Sequence, residues 1–220
     1  MMSALRVFAA LLVISAFTVP LSAAAQTKPK YTDEKKPKME NVKEVAVIET
    51  SMGTIEAELY RADAPKTVEN FVKLAEKKYF DGVIFHRVSK GFVIQGGDPT
   101  GTGSGGKSIW GKEFDDELNP NTPSYKEGYK KGVLAMANRG PNTNTSQFFV
   151  MLRDITTLPK NYTIFGKVIK GQGVVDKIGQ VDITPQMGPT DGKPKVDIVM
   201  KKVTIRREGG PKQEAKVEKK

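Results

Sequence analysis

Gly101 to Ser108, "GTGSGGKS", satisfies two nucleotide-binding patterns at once. Gly101, Gly106, Lys107 and Ser108 fit G-x-x-x-x-G-K-[ST], and Gly101, Gly103 and Gly106 fit G-x-G-x-x-G. The fold class turns on the flanks of this stretch. A phosphate loop lies between a buried parallel strand and the helix that follows, so that backbone N–H groups and the helix N-terminus meet the phosphates. Here "QGGDPT" precedes the stretch and "IWGKEF" follows it, with Gly111 four residues after Lys107 where a helix would have to continue. No βαβ alternation surrounds it, and no run of four apolar residues ending in Asp is present to hold magnesium. The stretch therefore reads as a tight surface loop of a β-rich chain, its glycines answering a need for positive φ, and no nucleotide is expected.

Outward from the loop, the pattern is one of short strands. "VAVIET" and "TIEAELY" flank Ser51-Met52-Gly53 and predict a hairpin. "VIFHRV", "GFVIQGG", "GVLAMAN", "SQFFVML", "TIFGKVI" and "VDIVMKKVTIR" supply six further strands. Two segments change period. "APKTVENFVKLAEKKY" sets Val68, Phe71, Val72 and Ala75 at helical spacing, with Pro65 suited to the first turn and Lys77 and Lys78 to the last, and a short helix is predicted over Val174 to Ile178. The expected fold is mainly β, a closed eight-stranded antiparallel β-barrel with two capping α-helices.

The chain has 220 residues, enough for one domain with a full core, no cysteine and a single histidine, His86. Disulfides, thiolate metal sites and a thiol nucleophile are excluded, and any triad or histidine-based metal site has one imidazole to draw on. Residues 1–25 read as a signal peptide: Arg6 in a short basic start, an apolar run from Val7 to Val19 too short to span a bilayer, and small residues before an expected cleavage after Ala25. The mature protein is then expected in a bacterial periplasm or secreted. Of the net charge of +10, six charges fall in the ends and four in the segment between. Residues 26–44 and 207–220, rich in Lys, Glu and Pro, read as a linker and a solvated tail around a domain of residues 45–206. The basic excess is thus no nucleic-acid footprint, and no specific nucleic acid is expected.

"FHRVSKGFVIQGGD" (Phe85–Asp98), the glycine loop, "MANRGPNTNTSQFF" (Met136–Phe149) and "FGKVIKG" (Phe165–Gly171) occur in the order and approximate spacing of a cyclophilin-type peptidyl-prolyl isomerase. The resemblance covers about Val45 to Arg206 and implies an enzyme, in a bacterial exported form, that rotates X-Pro bonds and assists the folding of exported proteins. The chemistry suits the composition. Rotation about the bond before proline meets a barrier of roughly 18–20 kcal/mol and breaks no bond, so neither metal nor cofactor is needed. A catalyst must bind the twisted imide better than either planar form.

The resemblance assigns catalysis to Arg87, Gln95 and Phe92. Arg87 offers a planar cation rich in donors to the imide, and a period-2 strand sets it on the face of Phe85 with His86 opposite. Val93, Phe149, Leu158 and Tyr162 line the seat for the proline ring, Ala137, Asn138 and Arg139 border the peptide groove, and Gln147 orients the arginine. Tyr162 stands where many members have histidine and Thr157 near where eukaryotic members have tryptophan, which makes cyclosporin binding weak. Proline-containing peptides and unfolded exported proteins are the implied partners of a monomer; a non-catalytic peptide-binding module is the alternative. His86 is read as a structural residue hydrogen-bonded inside the barrel. Asp115, Asp116 and Glu117 read as a solvated turn rather than paired catalytic carboxylates, and Ser146 lacks the G-x-S-x-G elbow of a hydrolase.

Overall fold

The computed structural model describes residues 42–209, so the signal peptide, nearly all of the linker and most of the tail lie outside the described residues. The hairpin is β1 (Lys43–Thr50) and β2 (Gly53–Leu59). Its turn is closed by Thr50, whose Oγ1 donates to the Gly53 carbonyl at 2.6 Å and accepts the Met52 N–H at 3.1 Å. Helix α1 (Pro65–Glu76) follows, with proline in its first turn, and buries Val68, Phe71, Val72, Leu74 and Ala75. It stops one residue before the two lysines expected in its last turn. Lys77 is the C-cap, Lys78 takes a left-handed φ of 58°, and Lys73 is the cation near the end.

Then come β3 (Arg87–Ser89), β4 (Val93–Gly96), α2 (Pro123–Glu127), β5 (Val133–Met136), β6 (Phe148–Met151), β7 (Ile164–Lys170), α3 (Gln172–Ile178), β8 (Ile183–Pro185), β9 (Asp191–Pro194) and β10 (Met200–Glu208). β1 begins at Lys43 and β10 runs to Glu208, so the outer strands extend slightly past residues 45 and 206.

The mainly β class holds, but the closed eight-stranded barrel does not. Among the described residues there are three helices and one antiparallel ladder of ten strands, in the order β10-β1-β2-β7-β5-β6-β4-β3-β9-β8, with β10 and β8 as its two ends. The extra strands are β8 and β9, two short segments bearing Pro185 and Pro194 that show no alternation, and α2 is a single turn led by Pro123. Their signals are those of turns. β3 is also half the length that "VIFHRV" suggests, because residues 83–86 leave the ladder. There the Phe85 N–H donates to the Ile198 carbonyl, the Met200 N–H donates to that of Val83, and Ile84 bridges Val199.

The main core lies between the sheet and α1 and is built on aromatic rings. Phe71 stacks on Phe80 at 5.0 Å and meets Phe148 and Phe165 edge-on or tilted at 5.5 Å. Each such side chain contributes about 1.5–3 kcal/mol by leaving water. Phe85 belongs to this core, with its ring 6.4 Å from Phe148. The break before Arg87 thus separates Phe85 from the face that Arg87 occupies, contrary to a continuous two-residue period.

Of the acids Asp115, Asp116 and Glu117, Asp115 is exposed as a solvated turn implies, while the other two are bound. Both oxygens of Glu117 accept N–H groups of the first turn of α1, from Lys66 at 3.0 Å and Thr67 at 2.8 Å, supplying the cap that Ala64 lacks. Asp116 binds the Asn142 N–H and the Asn144 side chain. Ser146 Oγ donates to the Gly97 carbonyl and is fully used in packing the loop.

Candidate active site

The glycine loop does wrap an anion, but the anion is internal. Asp98, wholly buried at the end of β4, accepts the N–H of Thr100 at 2.8 Å, of Gly103 at 2.7 Å and of Gly105 at 3.1 Å, besides the Thr100 hydroxyl. Gly103 reaches it with a φ of +82°, and a Cβ on Gly105 would lie 2.3 Å from the Asp98 carboxylate. Burial raises the Asp98 pKa, and the N–H donors outweigh it, holding the carboxyl below its ordinary 3.8. No helix follows before α2. The nucleotide-like pattern is the loop's fit to its own side chain.

Beside this loop, β3, β4 and β6 lie next to one another, and residues opposite one another across a ladder share a face. The register sets Arg87 opposite Gln95 and Gln95 opposite Phe149. The adjacent row is Ser89, Val93 and Met151, and β9 places Asp191 opposite Ser89. Asp191 is therefore the diagonal neighbour of Arg87 on the same face.

A directed chain of hydrogen bonds runs along this face. Arg87 Nε donates to Asp191 Oδ1 at 2.8 Å and Nη2 to Oδ2 at 2.6 Å, while Nη1 donates to Gln95 Oε1 at 3.0 Å. Gln95 Nε2 donates to Gln147 Oε1 at 2.9 Å, and Gln147 Nε2 donates to the carbonyls of Gly103 and Gly105 at 2.9 and 2.8 Å. Gln147 thus acts on the arginine through Gln95. The hydrogen bonds from Arg87 hold the Asp191 carboxyl below its ordinary 3.8 against the effect of its burial.

The sequence sets Arg87 out as a planar cation offered to the imide, and the structure gives that cation an acidic partner. The guanidinium is one half of a bidentate ion pair, so net charge is not what it offers a ligand. Three of its five N–H donors are engaged and two are left, on a side chain 25% exposed. What the site presents is a fixed pair of donors.

An apolar cluster adjoins the donors. Val93 and Phe149 are buried, and Phe92, Ala137, Leu158 and Tyr162 are half-buried and packed in the same cluster with Tyr129, Met151 and Ile164. Phe149 and Tyr162 meet edge to face at 5.5 Å. Tyr129, which sequence reasoning missed, fixes Tyr162 by its main chain: the phenol donates to the Tyr162 carbonyl and accepts the Tyr162 N–H, both at 3.0 Å. Burial pushes the Tyr129 phenol up to about 12. Thr157 is exposed and outside the cluster.

A second recess, on the other side of Gln147, is lined by Gln95, Ala137, Asn138, Arg139 and residues 103–106 of the loop. Asn138 donates from its side chain to the Asn161 carbonyl at 2.9 Å, and Arg139 reaches out to Glu113. Ala137 belongs to both the apolar cluster and the lining of this recess, and Arg87 joins them through its hydrogen bond to Gln95. His86 is placed differently from expectation. It is buried beneath the loop, 3.5 Å from where a Cβ on Gly103 would stand, and neither ring nitrogen has a hydrogen-bond partner among the described residues.

The match to known proteins agrees with this geometry. The model of the cyclophilin type peptidyl-prolyl cis-trans isomerase/CLD family matches residues 45–205. The chain is a cyclophilin. It is similar to the mouse peptidyl-prolyl cis-trans isomerase-like 1, at 52% identity over 144 residues, 66% of this chain and 84% of the relative. A Neurospora crassa protein of the same name is 47% identical over 163 residues, 73% of this chain and 93% of the relative. Among solved structures, a Cryptosporidium parvum cyclophilin type isomerase superposes with a TM-score of 0.67 at 38% identity, covering 77% of this chain and 99% of that one. The same protein solved in the presence of the dipeptide Ala-Pro gives 0.66 at 38% identity, over 74% and 98%. These relatives are eukaryotic and give this cyclophilin its family, not the bacterial exported form expected from its first 25 residues.

Proposed function

We propose that this cyclophilin accelerates cis-trans rotation of X-Pro bonds in peptides and unfolded chains. One observation carries the reading: Arg87, with two guanidinium N–H donors unused, shares a strand row with Gln95 and Phe149, and Phe149 packs in an apolar cluster with Phe92, Val93, Leu158 and Tyr162 that offers a proline ring apolar contact. Seating the ring there holds the proline side of the imide. Asn138, whose backbone enters no hydrogen bond among the described residues, is available to the substrate main chain. Donors fixed at Arg87 then favour the twisted form, in which amide resonance is lost and the imide nitrogen becomes a better acceptor. No proton, electron or covalent bond changes hands. The presence of Ala-Pro with the C. parvum relative supports proline-containing peptides as ligands.

The ion pair with Asp191 favours a second reading, a peptide-binding module without useful turnover, because it removes the net charge of the cation. Isomerisation of a short X-Pro peptide, followed by exchange NMR, separates the two. Arg87→Ala is expected to lower kcat/KM by roughly a hundredfold, the loss typical of one preorganised donor group, with an unchanged fold. Equal rates for the two proteins would reject catalysis. Export to a periplasm and a role there in folding secreted proteins rest on residues 1–25 alone; a mature N-terminus at Gln26 in an extracytoplasmic fraction is the expected result.

A further inference from the structure

We propose that Asp191 is a positioning residue of the isomerase site, holding the Arg87 guanidinium so that its two free N–H donors face the groove. This rests on the isomerase reading above and adds to it a residue from the far end of the sheet. Both oxygens of Asp191 accept from one arginine, in the side-on fork of Nε and Nη2, Ser89 stands opposite it across the ladder, and its side chain is 14% exposed. Surface pairs elsewhere look different: Arg139 and Glu113 share one bond, and their side chains are 66% and 40% exposed.

The carboxylate is delivered by backbone that does not depend on it. The Asp191 N–H donates to the Gly188 carbonyl, and its carbonyl accepts the N–H of Gln186 and of Met187, closing the turn between β8 and β9. The Lys90 N–H donates to the Thr190 carbonyl and ties that turn to the one between β3 and β4. Gly192 lets the ribbon close, because a Cβ there would lie 2.0 Å from the Thr184 carbonyl oxygen. Side-chain substitutions at position 191 thus leave the hairpin its hydrogen bonds.

An arginine held only by Gln95 at Nη1 would keep several rotamers and would have to be ordered in each catalytic event. With Asp191 in place that ordering precedes substrate, as electrostatic preorganisation requires. Substrate affinity should then depend little on Asp191, since the apolar cluster supplies it, and turnover should depend on it strongly.

The test uses the mature chain with Asp191→Ala and Asp191→Asn. We expect Asp191→Ala to lower kcat/KM about tenfold, the effect of losing a charge-assisted hydrogen bond, through kcat with KM nearly unchanged, and Asp191→Asn to fall between it and wild type. In an Arg87→Ala background, Asp191→Ala should have no further effect, whereas a merely structural role would give additive losses. The Arg87 Nε–H resonance should be sharp in wild type and broadened or shifted in Asp191→Ala. A folded Asp191→Ala protein with wild-type kcat/KM and an unchanged Nε–H resonance would overturn the inference. If wild type itself fails to isomerise peptides, the isomerase reading falls, and the resonance alone decides whether Asp191 orders the guanidinium.

Discussion

At the scale of residues, the site rests on side chains whose worth comes from being held. Arg87 is ordered by Asp191 and Gln95, Gln95 by Gln147, and Gln147 by two carbonyls of the loop. Tyr162 is ordered in the same way by the Tyr129 phenol. Tyr129→Phe should therefore cost about 1–3 kcal/mol, since it strips a buried N–H and carbonyl of their partner, and should raise KM for X-Pro peptides. A thermal melt and a KM measurement check this; an unchanged Tm would show that water replaces the phenol. Nine of the eleven candidate residues were singled out because they sit in long mixed motifs, in which each residue type restricts the next, whereas Leu158 and Tyr162 were placed by counting from their neighbours. Asp191 was not. It lies 104 positions from Arg87, and Asp191-Gly192 reads as a turn dipeptide with no partner to suggest. Tyr129 lies in a segment with no periodicity at all.

Among the elements, the glycine loop couples the strands to the site. It is shaped by the buried Asp98 and hands two of its carbonyls to Gln147. Gly105→Ala would place a methyl 2.3 Å from Asp98 Oδ1 and 2.7 Å from Thr100 Oγ1. The loop must then yield, at a cost of about 1–3 kcal/mol. Because the carbonyl of Gly105 moves with it, kcat/KM should drop along with Tm; loss of stability with full activity would disconnect the loop from Gln147. The sequence made this loop readable as a loop, through its broken flanks, yet concealed what fills it, because an internal carboxylate and an external phosphate ask the same of backbone N–H groups. Strand number was misjudged for a related reason. The alternation that reveals β2 needs one wet and one dry face, and segments as short as Ile183–Pro185 and Asp191–Pro194 carry too few residues to establish it.

For the molecule as a whole, stability should depend on pH in two separate windows. Burial is the main force holding the lone histidine, His86, below its ordinary 6.5, and the nearby Asp98 only partly offsets it. The unfolded chain therefore binds a proton at pH values where the folded chain does not, so stability is complete above 6.5 and falls as pH drops below it. Asp98 and Asp191, both below their ordinary 3.8, add a second loss as pH falls beneath that value. Tm followed from about pH 8 to 3 should show both declines. His86→Leu, which replaces an unpartnered imidazole by apolar surface, should abolish the upper one and leave the lower; persistence of the upper decline would assign it elsewhere. The open ladder carries one more consequence. The acid paired with Arg87 rides on the outermost ribbon, where β9 meets β3 through two residue pairs and β8 has no strand beyond it among the described residues. Fraying starts at such margins, so the proposed isomerase activity should fade with the border before the interior melts.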